Sequence, residues 1–285
     1  MLEQLTDNVY WTRPQQDTAR PVLGYVAGAD AALMVDAGNS PAQAKWFLGL
    51  LREQGLKQPD YVVLTHWHWD HVFGAGSING ALLAHKMTTD KLQEMSGFDW
   101  RDKALDQRVD DGAETEYFRD SIKNEMTNIE RSRLQLRQPE ISFDESMAVS
   151  LGEVTCRIEN IWGAESLEGT IVHVMPDNVI FLGALAFANH KCEPPAYKPE
   201  LVAAMLDRLL EMDADWYVSS NAEKPLDRKA FAQLEHDLRI IVNNVEKHAG
   251  SRPDVLTALR RFKSIQMDKA DQEWFVDALV RGYAA

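Results

Sequence analysis

The stretch Tyr61-Val62-Val63-Leu64-Thr65-His66-Trp67-His68-Trp69-Asp70-His71-Val72-Phe73-Gly74-Ala75-Gly76 decides how the chain is read. Its first four residues form a short apolar run of the kind that makes a buried strand. Val72 to Gly76 are small and apolar enough to open a close-packed helix. Between strand and helix, His66, His68, Asp70 and His71 crowd together. A strand end that feeds a helix start is a common place for a site in an α/β protein.

The spacing has a physical logic. In extended backbone, residues two apart point to the same side, so His66 and His68 reach one metal ion together. Where the chain turns into a helix, Asp70 and His71 point at a neighbouring position. Imidazole nitrogen and carboxylate oxygen suit zinc first, with iron, nickel or manganese also served. At this chain's own residue frequencies, HxHxDH arises by chance in about one chain in two thousand. A metal reading therefore outweighs a surface cluster, or a core ladder built with Trp67 and Trp69.

Bulk properties narrow the choice further. The chain has 285 residues, 45% of them hydrophobic, which suits one large layered α/β domain spanning 1–285. A formal charge of −14 disfavours nucleic acid and anionic membrane as partners. Two cysteines, Cys156 and Cys192, make no disulfide framework. The segment Met1 to Tyr10 carries Glu3 and Asp7 and no apolar signal core. The expectation is a cytoplasmic protein whose partner is a small-molecule substrate.

Outward from the motif, β-rich runs at 8–12, 22–26 and 31–36 precede it, the last two separated by Gly28-Ala29-Asp30 as in a hairpin. Ser40-Pro41 has the form of an N-cap and first helical residue, predicting a helix over 41–54. Ala81 to His85 reads as another strand, with His85 exposed rather than ligating. Residues 86–138 read as a helical insertion, with Tyr117, Phe118, Ile122, Met126 and Ile129 at helical spacing. Most of that stripe is assigned to core packing and part of it to a cover over the site. Short strands return at 141–143, 147–149, 154–158, 170–174 and 179–182. Helices follow at 198–212, 227–247, 253–262 and 268–281, so the C-terminal helices span about 226–285. Phe262, Trp274, Phe275 and Leu279 serve either a homo-oligomer contact or, by default, the chain's own core.

The HWHWDH motif, the strand ending in Asp36 and the order of elements resemble the metallo-β-lactamase superfamily from about residue 5 to about residue 250. The resemblance implies an αββα sandwich of the α/β class, with the metal site at one edge between two sheets. It also implies a hydrolase of esters, thioesters, lactones, β-lactams or phosphodiesters, though fold alone does not choose among them. Three downstream ligands of that family are altered. Glu165 falls where a histidine is expected, Ala184 where a bridging aspartate is expected, and Asn221 where the last histidine is expected. His173, His190 and Cys192 lie near the altered stretches. His173 reads as a packed or surface strand residue, whereas His190 and Cys192 offer loop donors.

These departures change the chemistry implied. Ala184 has no donor atom and Asn221 is a weak ligand, so the second metal position keeps only Asp70 and His71. The first keeps His66, His68 and Glu165, a two-histidine, one-carboxylate set with open positions. The reading is a mononuclear metal-dependent hydrolase in which Asp70 orients water or acts as base and His71 contacts substrate or leaving group. The alternative is a non-catalytic or structural metal-binding scaffold that has lost the dinuclear centre. Oxidative chemistry at iron is a third, weaker reading.

Overall fold

A computed structural model describes residues 1–15, 17–161, 169–185 and 195–284. Two sheets, each built from one continuous stretch of chain, lie face to face. The first contains β1 (Leu2–Gln4), β2 (Val9–Thr12), β3 (Gly24–Ala27), β4 (Ala32–Val35), β5 (Tyr61–Leu64), β6 (Ala81–His85) and β7 (Ile141–Phe143). The second contains β8 (Ser146–Ser150), β9 (Thr155–Asn160), β10 (Thr170–Met175), β11 (Val179–Gly183), β12 (Trp216–Ser219) and β13 (Leu226–Asp227). In both sheets spatial order follows chain order. Strands β4 to β7 run parallel, which places helices in their connections.

Alternation along the strands separates three cores. Leu33, Val35, Val63 and Leu83 face the second sheet, where they meet Cys156, Ile158, Val172, Val174 and Phe181. Their neighbours Met34, Val62, Leu64, Leu82 and Ala84 face outward, onto α1 (Pro41–Glu53), α2 (Trp69–Val72) and the helices of the insertion. On the far side, Ile171, Ile180 and Leu182 pack under the C-terminal helices. A strand with both faces covered needs apolar residues at every position, which is why these strands read as continuous apolar runs. The result is the α/β four-layer αββα sandwich.

The insertion supplies α3 (Lys86–Met95), α4 (Asp102–Asp110), α5 (Glu116–Glu125) and α6 (Asn128–Arg131). The C-terminal part supplies α7 (Pro199–Met212), α8 (Arg228–Lys247), α9 (Arg252–Leu259) and α10 (Lys269–Ala284). Ser40 caps α1 by accepting from the Gln43 N–H at 3.0 Å, as its sequence position predicts.

Several local expectations are corrected. Ile129 leaves the apolar stripe and is 64% exposed. The reason is that α5 stops at Glu125 and Thr127 starts a new helix through a capping box with Glu130. His85 is buried rather than exposed. It caps α3 and its Nε2 bonds the Asp144 carbonyl. The edge strands β1 and β13 escape the sequence reading because they are too short to show alternation. Trp274, Phe275 and Leu279 are buried in the chain's own third core, whereas Phe262 is exposed.

Close approach fixes the helix that follows the motif. A Cβ on Gly74 would lie 2.0 Å from the Ala37 carbonyl oxygen and 2.9 Å from Ser40 O. Both are backbone atoms and cannot rotate aside. Gly74→Ala is expected to destabilise the protein by about 3 kcal/mol, at the upper end of overpacking costs. Urea unfolding measures this, and an unchanged midpoint would contradict the close packing. The thiol of Cys156 is buried between the sheets, and burial pushes its pKa up to about 12. In a Cys192→Ser protein it should therefore resist an aromatic disulfide reagent at neutral pH and react only after denaturation.

Candidate metal centre

Strand β5 ends at Leu64, and the next seven residues carry the motif across the sheet edge into α2. The Asp36 carboxylate beneath them organises the turn. Asp36 ends β4 with a left-handed backbone (φ 62°) and is 2% exposed. Its Oδ1 accepts from the Thr65 N–H at 2.8 Å, and the Thr65 hydroxyl donates to the same carboxylate at 3.0 Å. Its Oδ2 lies 2.8 Å from His71 Nδ1. Three parts of the motif region thus converge on one buried acidic group.

That network sets the His66 tautomer. The Thr65 hydroxyl donates its hydrogen bond to Asp36, so its oxygen accepts from His66 Nδ1 at 3.0 Å. The lone pair of His66 then resides on Nε2, which lies 3.1 Å from His68 Nδ1. Two imidazole nitrogens so close share either a proton or a cation. At a Zn–N bond of about 2.05 Å, this separation subtends roughly 100°, near a tetrahedral angle. Burial lowers the pKa of both rings, with His71 adding to the effect, so both are neutral as ligation requires.

Asp70 and His71 form the adjoining pair. His71 is buried, with Nε2 3.5 Å from Asp70 Oδ2. Burial pulls its pKa down, but the carboxylates of Asp36 and Asp70 outweigh this and raise it to about 10. Burial pushes the Asp70 carboxyl up, and the neighbouring His71 more than reverses that, leaving Asp70 ionised. Among the described residues, no three His, Cys, Asp or Glu side chains form a group that would hold a metal ion. The His66–His68 pair fits two positions of a coordination sphere, and a third donor has to come from elsewhere. Glu165, His190 and Cys192 lie outside the described residues. His173 is held by Asn178, with Nε2 2.9 Å from Oδ1.

The motif opens into a cavity of about 460 Å³. Ala184 and Asn221 line it beside His66, His68, Asp70 and His71. The insertion supplies Met95, Phe98, Trp100, Tyr117 and Phe118, and α10 contributes Trp274. The cover assigned to part of the insertion is therefore present, and it is mostly aromatic. Sequence reasoning missed three contributors. Asp36 was legible only as a strand end. Arg20 and Glu125 lie 105 positions apart and form an ion pair at 2.8 Å, with Glu125 1% exposed. Ser40 also bonds Glu125, so the cap of α1, the cavity wall and the end of α5 are joined. Arg228, at the start of α8, pairs with Asp213 and Asp215.

An αββα sandwich with a histidine cluster at its edge defines the metallo-β-lactamase class of fold. Residues 18–146 match the family model described as the metallo-beta-lactamase superfamily. No curated protein sequence matches it. Solved structures similar to it include a metallo-beta-lactamase from Pontibacter korlensis, at 12% identity and TM-score 0.59, covering 84% of this chain and 98% of the other. A metallo-beta-lactamase from Hirschia baltica gives 13% identity and TM-score 0.55, covering 83% and 96%. The inverting sec-alkylsulfatase Pisa1 from Pseudomonas sp. gives 12% identity and TM-score 0.68. That match covers 99% of this chain and 49% of the other, so the chain spans about half the alkylsulfatase. At such identities the likeness concerns the fold.

The ion pairs around the site make two predictions. The folded pKa of His71 lies above its ordinary value of about 6.5. Its stabilising contribution is therefore complete below that pH and is lost as pH rises through about 10. In chelator-treated protein, the melting temperature should fall between about pH 7 and about pH 10, and fall less in His71→Gln. Equal slopes would contradict the pairing. Removing one partner of a buried pair strands the other. Glu125→Ala should thus cost about 3 kcal/mol in urea unfolding, and Arg20→Met/Glu125→Leu should recover much of it.

Proposed function

We propose that the chain is a mononuclear metal-dependent hydrolase of a small ester, lactone, thioester or phosphoester. The observation that carries this reading is the 3.1 Å approach of His66 Nε2 and His68 Nδ1 at the mouth of a cavity. His66 and His68 would hold the ion, with Glu165 as the proposed third donor on the strength of its sequence position. Zinc is the first choice, and iron, nickel and manganese suit the same donors. A divalent ion there supplies Lewis acidity, polarising a carbonyl or phosphoryl oxygen and making water acidic.

The chain's own residues do the rest. Asp70, ionised and partly exposed, orients a water or accepts its proton. His71 is fixed in place by Asp36 and presents its Nε2 edge beside Asp70, where it contacts substrate or leaving group. Trp67 stacks edge-on against His68 at 4.5 Å between ring centres, restricting that ring. No described helix is long and apolar enough to cross a membrane. We place the protein in the cytoplasm with a small-molecule substrate, a reading supported by its charge of −14 and its two cysteines.

A second reading has its own support. Ala184 and Asn221 line the cavity with a methyl group and a neutral amide, which favours a scaffold that has lost a dinuclear centre. Elemental analysis of protein purified without added metal, together with turnover on an ester, lactone, thioester and phosphoester panel, separates the two. The hydrolase reading expects about one ion per chain, activity abolished by chelator, and loss of both in His66→Ala/His68→Ala. Metal-free protein that stays inert after metal addition would overturn it. A large drop in melting temperature on chelation without turnover would indicate a structural ion.

A further inference from the structure

Resting on the hydrolase reading, we infer that the cavity selects substrates with a long uncharged apolar arm, seated against the aromatic wall of the insertion. The wall is continuous with the motif. Phe118 meets Trp69 edge-on at 6.3 Å between ring centres, and Trp69 meets Phe73 at 5.8 Å. Phe73, buried behind the wall, meets Trp100 at 4.7 Å, and Trp100 meets Phe98 at 5.8 Å. Phe98, Tyr117 and Phe118 are each only partly buried and line the cavity. Half-exposed aromatic rings facing a concave space mark a binding surface more than a core.

The far end of this row is closed to charge. The Arg108 guanidinium lies over Trp100 at 4.8 Å and over Phe98 at 5.4 Å. That contact stiffens the rings from behind, because Arg108 itself does not line the cavity. Among the described residues, the lysine and the arginine that do line it are engaged, and His71 is held by Asp36 and Asp70. Arg20 is held by Glu125 at 2.8 Å, and Lys91 by Glu94 at 2.9 Å. An anionic arm would compete with the carboxylates of these pairs and would also meet the Glu114 carboxyl, another lining group. A neutral hydrocarbon arm meets rings along the whole wall, and its hydrolysable end lies beside His66, His68 and Asp70. A volume of about 460 Å³ accommodates an arm of that kind together with an ester head.

The test uses ethyl esters of straight-chain acids from acetate to decanoate, hydrolysed by the whole protein and followed by pH-stat. A parallel titration of sodium decanoate is read by calorimetry, independent of turnover. Each buried methylene favours the longer ester, so kcat/KM should rise by about tenfold or more from acetate to octanoate. Phe98→Ala should flatten this rise and weaken decanoate binding about fivefold. Ala113→Trp, at an exposed lining position, narrows the cavity without emptying the core and should move the optimum to shorter esters. Turnover that is independent of chain length would overturn the inference and leave the hydrolase reading standing. No turnover of any ethyl ester, nor of the lactone, thioester and phosphoester panel, with decanoate still bound and weakened by Phe98→Ala, would sink the hydrolase reading and keep the apolar cavity. Decanoate that fails to bind, or binds equally well to Phe98→Ala and Ala113→Trp, would overturn the inference.

Discussion

A single buried carboxylate holds the motif together. Asp36 receives the Thr65 amide, the Thr65 hydroxyl and the His71 ring, and it does so from a left-handed backbone at the end of β4. Each bond satisfies a group that would otherwise be buried without a partner, and such groups are costly. The arrangement also propagates outward. By accepting the Thr65 hydroxyl hydrogen bond, Asp36 obliges Thr65 to accept from His66, which leaves His66 Nε2 with its lone pair toward His68. The tautomer of an outer ring is thus decided by an aspartate that never reaches the cavity.

The surrounding sandwich makes this possible by keeping water out. Strands β4 and β5 are buried on both faces, so the charge of Asp36 is compensated inside the protein rather than by solvent. The same geometry explains why the insertion matters. It leaves the first sheet after β6 and returns at β7, and in between it walls the cavity beside the motif. The Arg20–Glu125 pair, with Ser40, anchors its last long helix to the scaffold. Positioning of the motif histidines and shaping of the cavity therefore belong to separate parts of the chain.

Much of this was legible in the sequence. The strand Tyr61–Leu64, the strand Ala81–His85 and the helix opened by Ser40-Pro41 follow from local patterns and appear where those patterns place them. The HxHxDH cluster pointed to the sheet edge where its four side chains line the cavity. What local pattern could not reveal were pairings across long distance: Asp36 with His71, Arg20 with Glu125, and Trp274 turning in from the last helix to the cavity. His85 misled because a histidine after a strand is commonly exposed, whereas here a carbonyl of the β7–β8 turn satisfies its buried nitrogen. Ile129 misled because helical spacing was carried across Thr127, although Thr127 and Glu130 spell a helix start.

Strand order equal to chain order has a bearing on biosynthesis. Every neighbour that a strand of the first sheet needs is already outside the ribosome when the next strand emerges, so this sheet can zip up progressively. Until β8 to β13 have been made, however, its inner face of Val9, Trp11, Val26, Leu33, Val35 and Val63 has no partner. A nascent chain that has exposed only the first sheet would therefore carry an uncovered greasy flank, the kind of surface that chaperones shield and that aggregates when they are scarce.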